Sequence, residues 1–198
     1  MKKFRQNVWE IIDRYYIETF NDEDNGYMNV PSYLDNGSSR VCFALDDEDY
    51  VVKVSKIGSL QKFSALGEYD RHWINTGIQQ SLLELNVFKT CPVDLKYLLN
   101  PIIEYGFYRG CIYIVQPRVE VAEVMCDSDG EYRETFDLDD VFTMLEISSD
   151  VTNEYYEDID NLCSIYHLQD NDIVSATSNI GITSENEIKI IDYGFVGW

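Results

Sequence analysis

The sequence contains few basic residues. Its 198 residues include 15 Lys and Arg against 36 Asp and Glu, which gives a formal net charge of −21 at neutral pH. A chain this negative repels the phosphates of nucleic acids and anionic lipids, so we expect neither as a direct partner. A protein partner should present a basic surface, although an acidic surface is more commonly a means of staying in solution.

The sequence also lacks long apolar segments. It has no stretch of about 18 apolar residues that would span a bilayer. The charged start, Met1 to Arg5, leads into an amphipathic stretch and not into the apolar region of a signal peptide. We therefore expect a cytoplasmic protein. With 45% hydrophobic residues, the chain is suited to one domain with a buried core, or to one domain with a small additional lobe.

Histidines and paired cysteines are scarce. The chain has two histidines and five widely spaced cysteines without a Cys-x-x-Cys pair. This pattern predicts no zinc site, no haem ligand set and no disulfide framework. The cysteines are expected to be small buried hydrophobic residues in a reducing compartment; they are Cys42, Cys91, Cys111, Cys126 and Cys163.

The spacing of apolar residues predicts a mixed α+β fold. Residues 3–20 and 81–89 carry apolar side chains at helical spacing. Arg109 and Gly110 form the expected turn of a hairpin, and Pro117 is expected to stop its second strand. Five segments rich in β-branched and aromatic residues predict strands, the first three as an antiparallel meander: 29–34, 41–45, 50–55, 100–108 and 111–116.

Residues 121–160 are strongly acidic. They contain 14 Asp and Glu against one base, Arg133, and so hold −13 of the net charge. Asp137 is placed to cap one helix of this segment, and Tyr155 and Ile159 mark the apolar face of another. The acids would form a face that binds a basic protein, imitate the charge of nucleic acid, or be an ordinary solvated face.

The order of the segments resembles the protein-kinase-like fold and, more narrowly, the short kinase-like proteins encoded by bacteriophages. The resemblance covers about residues 29–120 and 155–195 and is carried by LDNGSSRVCFAL, YVVKV, QQSLLELNVF, CIYIVQPRVE and SNIGITSENEIKIIDYGF. It implies an N-terminal lobe of five antiparallel strands with an inserted helix, and a reduced helical C-terminal lobe. We therefore divide the chain into an N-terminal amphipathic helix and linker, a kinase-like N-lobe and an acidic C-lobe, at 1–26, 27–118 and 119–198.

The resemblance implies a site for ATP. Gly37, Ser38 and Ser39 would lie over the phosphates, and Lys53 would contact them while paired with Glu84. The residues themselves support this pair, because a strand lysine flanked by valines points to one face of its sheet. A glutamate in an otherwise apolar helix needs a partner. In the hinge, backbone groups of Gln116 and Arg118 would pair with the adenine edge, whereas Pro117 has no N–H to donate.

Asn179 and Asp192 are the candidate metal ligands. An amide oxygen and a carboxylate, 13 positions apart around a predicted strand, suit a magnesium ion that bridges nucleotide phosphates. The alternative is that Asp192-Tyr193-Gly194 is only a turn at the end of a strand, where Asp and Gly are ordinary.

The sequence departs from an active kinase in three places. The phosphate loop has one glycine, Gly37, where the family usually has two or three. The family's catalytic base stands five residues before the metal-binding asparagine, and that position holds Val174. Asp172 is the candidate base if the loop carries an insertion, with Asp170 close by. Only four residues follow Gly194, so we expect the helices on which peptide substrates dock to be missing.

Three functions follow from this pattern. The first is a degenerate kinase-like protein that would retain ATP and Mg²⁺ and act by binding and modulating a host protein with a basic surface. The second is an active ATP-dependent protein phosphotransferase that modifies a host protein or itself. The third is an acidic mimic of nucleic acid that inhibits a DNA- or RNA-binding protein. A phage-encoded protein would act in the host cytoplasm.

Overall fold

The computed structural model describes residues 3–22, 25–37, 39–56, 68–126, 130–169, 173–175 and 177–193. The chain forms two compact units. The first contains Met1–Leu82 and Pro101–Arg118, and the second contains Leu83–Asn100 and Val119–Trp198. One boundary between them falls inside helix α2, Glu68–Thr90. Within the described residues, no helix has the length and apolarity needed to cross a membrane.

The first unit is built on a five-stranded antiparallel sheet. Its strands lie in the order β1-β2-β3-β5-β4. They are β1 Tyr33–Asn36, β2 Arg40–Ala44, β3 Tyr50–Ser55, β4 Glu104–Tyr108 and β5 Cys111–Pro117. β1, β2 and β3 are successive antiparallel neighbours, which confirms the predicted meander and the mixed α+β class. Arg109 and Gly110, which join β4 to β5, both have positive φ, as a tight hairpin turn requires.

Helix α1, Arg5–Asn21, covers one face of this sheet. Val8, Ile12 and Tyr15 lie on one side of the helix and are buried against sheet residues that include Phe43 and Val52. Burying each large side chain of this kind stabilises the fold by roughly 1.5–3 kcal/mol, which explains why the amphipathic pattern of residues 3–20 gave a correct prediction.

Several predicted boundaries were wrong. Residues 29–34 do not form one strand, because Gly26–Asn29 is a 3₁₀ turn and Pro31 cannot donate to a ladder. The helix expected at 81–89 is α2, which starts at Glu68. The strand expected at 100–108 starts at Glu104, since the Asn100 N–H donates to the Ile190 carbonyl at 3.0 Å instead. β5 also runs one residue further than predicted, to Pro117.

The second unit combines helices with short strands. After the end of α2 it contains α3 Leu138–Met144 and α4 Ser149–Tyr166. The strands are β6 Glu120–Val121, β7 Val124–Cys126, β8 Tyr132–Glu134, β9 Ile180–Ile182 and β10 Ile188–Ile190. They form a sheet in the order β10-β9-β6 and a separate β7-β8 hairpin.

A single apolar cluster holds the second unit together. Leu98, Val141, Ile159, Leu162 and Ile190 are fully buried in it. Asp137 caps α3 as predicted: its side chain accepts the Asp140 N–H at 3.1 Å. The Tyr155 hydroxyl donates to the Ile188 carbonyl at 3.2 Å, so α4 is fixed to β10 by a hydrogen bond as well as by apolar contacts.

Candidate functional site

The turn between β1 and β2 is where the sequence predicts the phosphate loop. Gly37 is exposed, and its N–H donates to the Arg40 carbonyl at 3.0 Å, which closes the turn. A Cβ added to Gly37 would meet no atom within 4 Å, so the turn is open to its surroundings at this point. Ser38 lies outside the described residues.

Ser39 is buried and fixed to helix α2. Its hydroxyl donates to Gln80 Oε1 at 2.5 Å, and its carbonyl accepts the Lys56 N–H at 2.9 Å. A Cβ on Gly77 of α2 would overlap the same carbonyl oxygen, so the backbone of Ser39 lies directly against the helix. The Ser39 hydroxyl therefore anchors the turn, and its own hydrogen atom is already committed to Gln80.

Lys53 and Gln116 lie on one face of the first unit's sheet. Lys53 is half-buried in β3 and pairs in register with Cys42 and Ile114. Its neighbour Val52 points to the opposite face, into the core beneath α1. Gln116 of β5 lies opposite Val51, two residues from Lys53, so the alternation of the strands places Gln116 and Lys53 on the same side.

Arg118, the other residue expected to contact adenine, already uses its backbone N–H in a hydrogen bond. The Arg118 N–H donates to the Asp49 carbonyl at 2.8 Å, so this N–H already has an acceptor. A contact of Arg118 with adenine would have to use another backbone group. Gln116 is fully buried.

Glu84 is a fully buried carboxylate. It lies in the part of α2 that belongs to the second unit, whereas Lys53 belongs to the first. Removing a carboxylate from water is costly unless it is paired or hydrogen-bonded, so the burial of Glu84 indicates a structural or functional demand for this side chain. The Lys53–Glu84 pair stays a prediction.

The second unit brings the two candidate metal ligands to one end of a hairpin. β9 and β10 pair antiparallel, with Ile180 opposite Ile190. The Ile191 N–H extends this pairing by donating to the Asn179 carbonyl at 2.8 Å. Asn179 and Asp192 thus emerge from the same open end of the hairpin, and both are half-buried. The fold turns a separation of 13 positions in sequence into neighbouring positions in space.

Hydrogen bonds hold both sides of this hairpin end. Tyr193, which follows Asp192, is buried, and its hydroxyl donates to the Asn100 carbonyl at 3.0 Å. On the other side lies Thr177, two residues before Asn179. Its hydroxyl donates to the Thr135 carbonyl at 2.8 Å. The backbone that carries each ligand is therefore anchored to a different element of the second unit.

The oxygen atoms that Asn179 and Asp192 could donate fit a magnesium ion that is also bound to nucleotide phosphates. Mg²⁺ is usually held by one or two protein oxygens, with phosphate oxygens and waters completing the octahedron. Asn179 and Asp192 supply such a partial set. No group of three or more His, Cys, Asp and Glu side chains that could hold a metal ion occurs among the described residues.

Val174 occupies the position at which the resemblance to kinases implies a catalytic base. Its side chain is half-buried and packs against the apolar core of the second unit. A valine cannot accept a proton, and its packing shows that the local chain directs this position inward. The candidate base Asp172 and its neighbour Asp170 lie outside the described residues.

Sequence reasoning missed the residues that support the site. Gln80 and Gly77 fix the turn between β1 and β2, and Tyr193 fixes the end of the hairpin that carries Asn179 and Asp192. The signals were present but ambiguous. A glycine inside a helix indicates a close approach of another backbone, and a tyrosine beside a candidate ligand is also common in ordinary strand ends.

The negative charge is concentrated in the second unit. This unit holds 22 acidic residues against 4 basic ones, whereas the first unit holds 14 against 11. Two of its carboxylates accept hydrogen bonds from tyrosines: Asp158 from Tyr97 at 2.7 Å, and Asp139 from Tyr156 at 2.8 Å. These bonds, with burial as the larger cause, raise the pKa of both tyrosines.

Several solved structures match this chain at low sequence identity, and two of them are structures of WbdD. No protein-family model and no curated protein matches the sequence. A medium-resolution structure of the bifunctional kinase-methyltransferase WbdD is 12% identical with a TM-score of 0.46, over 79% of this chain and 29% of that one. A structure of monomeric WbdD is 12% identical with a TM-score of 0.48, over 79% of this chain and 32% of that one. The chain spans about a third of the length of these proteins.

Proposed function

We propose that this protein is a degenerate protein-kinase-like domain that binds ATP with Mg²⁺ and acts by binding and modulating another protein. The five-stranded antiparallel sheet, with Lys53 in its third strand and helix α2 following that strand, has the order of a kinase N-lobe. In the first unit, Lys53 would contact the phosphates, and the face it shares with Gln116 would meet the nucleotide.

The second unit would supply the metal ligands. Asn179 and Asp192 would bind Mg²⁺ that carries the nucleotide phosphates, as the paired ends of β9 and β10 favour. The metal would neutralise phosphate charge in a unit that is itself strongly acidic. ATP without the metal would be repelled there, so binding should depend on Mg²⁺.

The packing of Val174 carries the proposal that phosphate transfer is lost. Transfer to a hydroxyl needs a group that orients the hydroxyl and accepts its proton, and the expected position holds an apolar side chain packed on the core. A domain that binds nucleotide without this group is suited to present a surface to a partner. Given the charge of the second unit, the partner would have a basic surface, and it would be a host protein if the chain is phage-encoded.

An active phosphotransferase is the second candidate. It is favoured by one observation, the placement of the two candidate metal ligands, Asn179 and Asp192, at the same hairpin end. In that function Asp172 would act as the base. The nucleic-acid mimic, which the charge of the second unit alone would support, needs neither Lys53 nor Asp192.

The test is thermal unfolding with and without ATP and Mg²⁺. Ligand at about 100 times its dissociation constant should stabilise the fold by about 2.7 kcal/mol and raise the midpoint by roughly 5–11 °C. We expect a magnesium-dependent shift in the wild type that is lost in Lys53→Ala and in Asp192→Asn. Lys96→Ala and Asp150→Asn, which remove exposed charges elsewhere, are the matched controls. No shift in the wild type would contradict nucleotide binding.

A transfer assay separates the two candidates. With radiolabelled ATP, the proposal predicts no label on the protein itself or on proteins of a cell lysate. Label that appears with the wild type and disappears with Asp192→Asn would establish the phosphotransferase instead. Inhibition of a nucleic-acid-binding protein that persists in both site variants would favour the mimic.

A further inference from the structure

The β7-β8 hairpin and the residues that follow it expose two aromatic rings. Tyr132 in β8 is 78% exposed and Phe136 is 72% exposed, the two largest exposures among the aromatic residues described. Every residue of β8 is exposed, and β7 is its one strand partner in the described part of the chain. We call the exposed residues Glu131, Tyr132, Arg133, Glu134, Phe136 and Asp137 the hairpin surface.

The backbone beneath the hairpin surface is firmly held. Thr135, between the two exposed positions, is buried; its hydroxyl donates to the Ala122 carbonyl, and its N–H donates to the Glu123 carbonyl at 3.0 Å. The Phe136 N–H donates to Asp140 Oδ2 at 2.8 Å. The rings are therefore presented by an ordered segment, so a partner would pay little entropy to order them.

The charge around the rings determines what they would bind. Glu131, Glu134 and Asp137 are exposed and lie within two positions of a ring in sequence, against one exposed base, Arg133, which is also the one base of residues 121–160. An apolar partner would have to remove these carboxylates from water. A guanidinium group instead stacks on an aromatic face while it pairs with a carboxylate, and it is less strongly hydrated than an ammonium group.

We propose that the hairpin surface docks an arginine-rich segment of a protein partner, with guanidinium groups stacked on Tyr132 and Phe136. This inference rests on the proposed function for the partner and goes further by giving its place and chemistry. The acidic residues alone would attract any cation. The two exposed rings add a preference for arginine over lysine, which is the property to measure.

The experiment uses two fluorescent peptides of equal length, an Arg-Gly repeat and a Lys-Gly repeat, titrated with the full-length protein. We expect the Arg-Gly repeat to bind more tightly. The double variant Tyr132→Ala/Phe136→Ala should weaken it by roughly 5- to 30-fold, from about 0.5–1 kcal/mol for each exposed cation–π contact. The double variant Ile17→Ala/Phe20→Ala removes two exposed apolar side chains of α1 and should leave the affinity unchanged.

A third double variant, Tyr132→Leu/Phe136→Leu, keeps apolar surface without rings. Loss of binding in this variant supports stacking, and full retention would overturn it. Equal affinities for the two peptides, unchanged by removal of the rings, would also overturn the proposal and leave only diffuse charge attraction. Because Tyr132 and Phe136 are exposed, the thermal midpoints of the variants should match the wild type.

The same titration in Asp192→Asn separates this inference from nucleotide binding. Peptide binding that persists when the ATP-dependent shift is lost supports docking independent of the nucleotide site. An ATP-dependent shift that persists without any peptide binding would overturn the hairpin surface and leave the nucleotide site standing.

Discussion

The Ser39 hydroxyl donates a hydrogen bond to Gln80 Oε1 at 2.5 Å, across 41 positions of sequence. The bond joins the start of β2 to helix α2 within the first unit. Because Ser39 is 3% exposed, little water competes for its hydroxyl. The turn that would cover nucleotide phosphates and the helix that follows β3 are therefore linked by a buried polar contact.

A double-mutant cycle should detect this link. Ser39→Ala and Gln80→Ala each remove one partner, and each should lower the free energy of unfolding. The double variant should lose less stability than the sum of the two single losses. The difference should be about 0.5–1.5 kcal/mol, the usual net contribution of one hydrogen bond. Urea unfolding of the four proteins measures this term. Strict additivity would show that the two side chains do not interact in solution, and Ser164→Ala, at an exposed position of α4, serves as the neutral control.

Position 77 should not tolerate even the smallest side chain, that of alanine. Replacing glycine by alanine inside a helix ordinarily stabilises a protein by roughly 0.5–1 kcal/mol. A Cβ on Gly77 would overlap the Ser39 carbonyl oxygen, which belongs to backbone and cannot rotate away. We therefore expect Gly77→Ala to lower the free energy of unfolding by more than about 1 kcal/mol. Gly37→Ala, where a Cβ has open space, should change it by less than about 0.5 kcal/mol. A stabilised Gly77→Ala would contradict this close contact.

Tyr193 should act on stability and on metal binding together. Tyr193→Phe keeps the buried ring and removes the hydroxyl that donates to the Asn100 carbonyl. The free energy of unfolding should fall by about 0.5–1.5 kcal/mol. If Asp192 binds magnesium, the ATP-dependent rise in midpoint should also shrink, because the neighbouring backbone loses an anchor. Tyr132→Phe removes an exposed hydroxyl and should change neither quantity. A destabilised Tyr193→Phe with an unaltered ATP response would show that the anchor does not position Asp192.

Helix α1 and the strands β2 and β3 could be predicted from sequence. The apolar positions of α1 recur at helical spacing, and those of β2 and β3 are bounded by turn residues. Each of these patterns is therefore compatible with only one type of secondary structure. The strands β6 to β9 have two or three residues each, too few for any period to show. Pro31 was the available sign that 29–34 would not form a continuous strand.

The candidate site residues were predicted from sequence, but the contacts that hold them in place were not. Asn179 and Asp192 were predicted as oxygen ligands because their residue types and their flanking strands fit that chemistry. What fixes them is the antiparallel pairing of β9 with β10, together with bonds from Tyr193 and Thr177. Such contacts join positions far apart in sequence, and a single chain's pattern of residue types does not encode which pairs will meet.

Buried tyrosine hydroxyls should make the second unit sensitive to high pH. Burial raises the pKa of Tyr155 above the ordinary value of 10, with a smaller contribution from Tyr97. A raised pKa in the folded state gives stability that is fully present below the unfolded value and is lost as pH rises past it. We therefore expect the free energy of unfolding to decrease from about pH 9 to pH 11.

Tyr155→Phe isolates the contribution of Tyr155 to this loss. The variant should be less stable at pH 8, because it lacks the hydrogen bond to the Ile188 carbonyl. Its stability should then fall less steeply between pH 9 and pH 11, because the unfolded chain has one group fewer that releases a proton. Urea unfolding at half-unit steps of pH measures both slopes, with the exposed Tyr132→Phe as the control. Parallel slopes for wild type and Tyr155→Phe would mean that the Tyr155 hydroxyl ionises as easily in the folded protein as in the unfolded chain, and the burial of its ring against β10 would then have to be rejected.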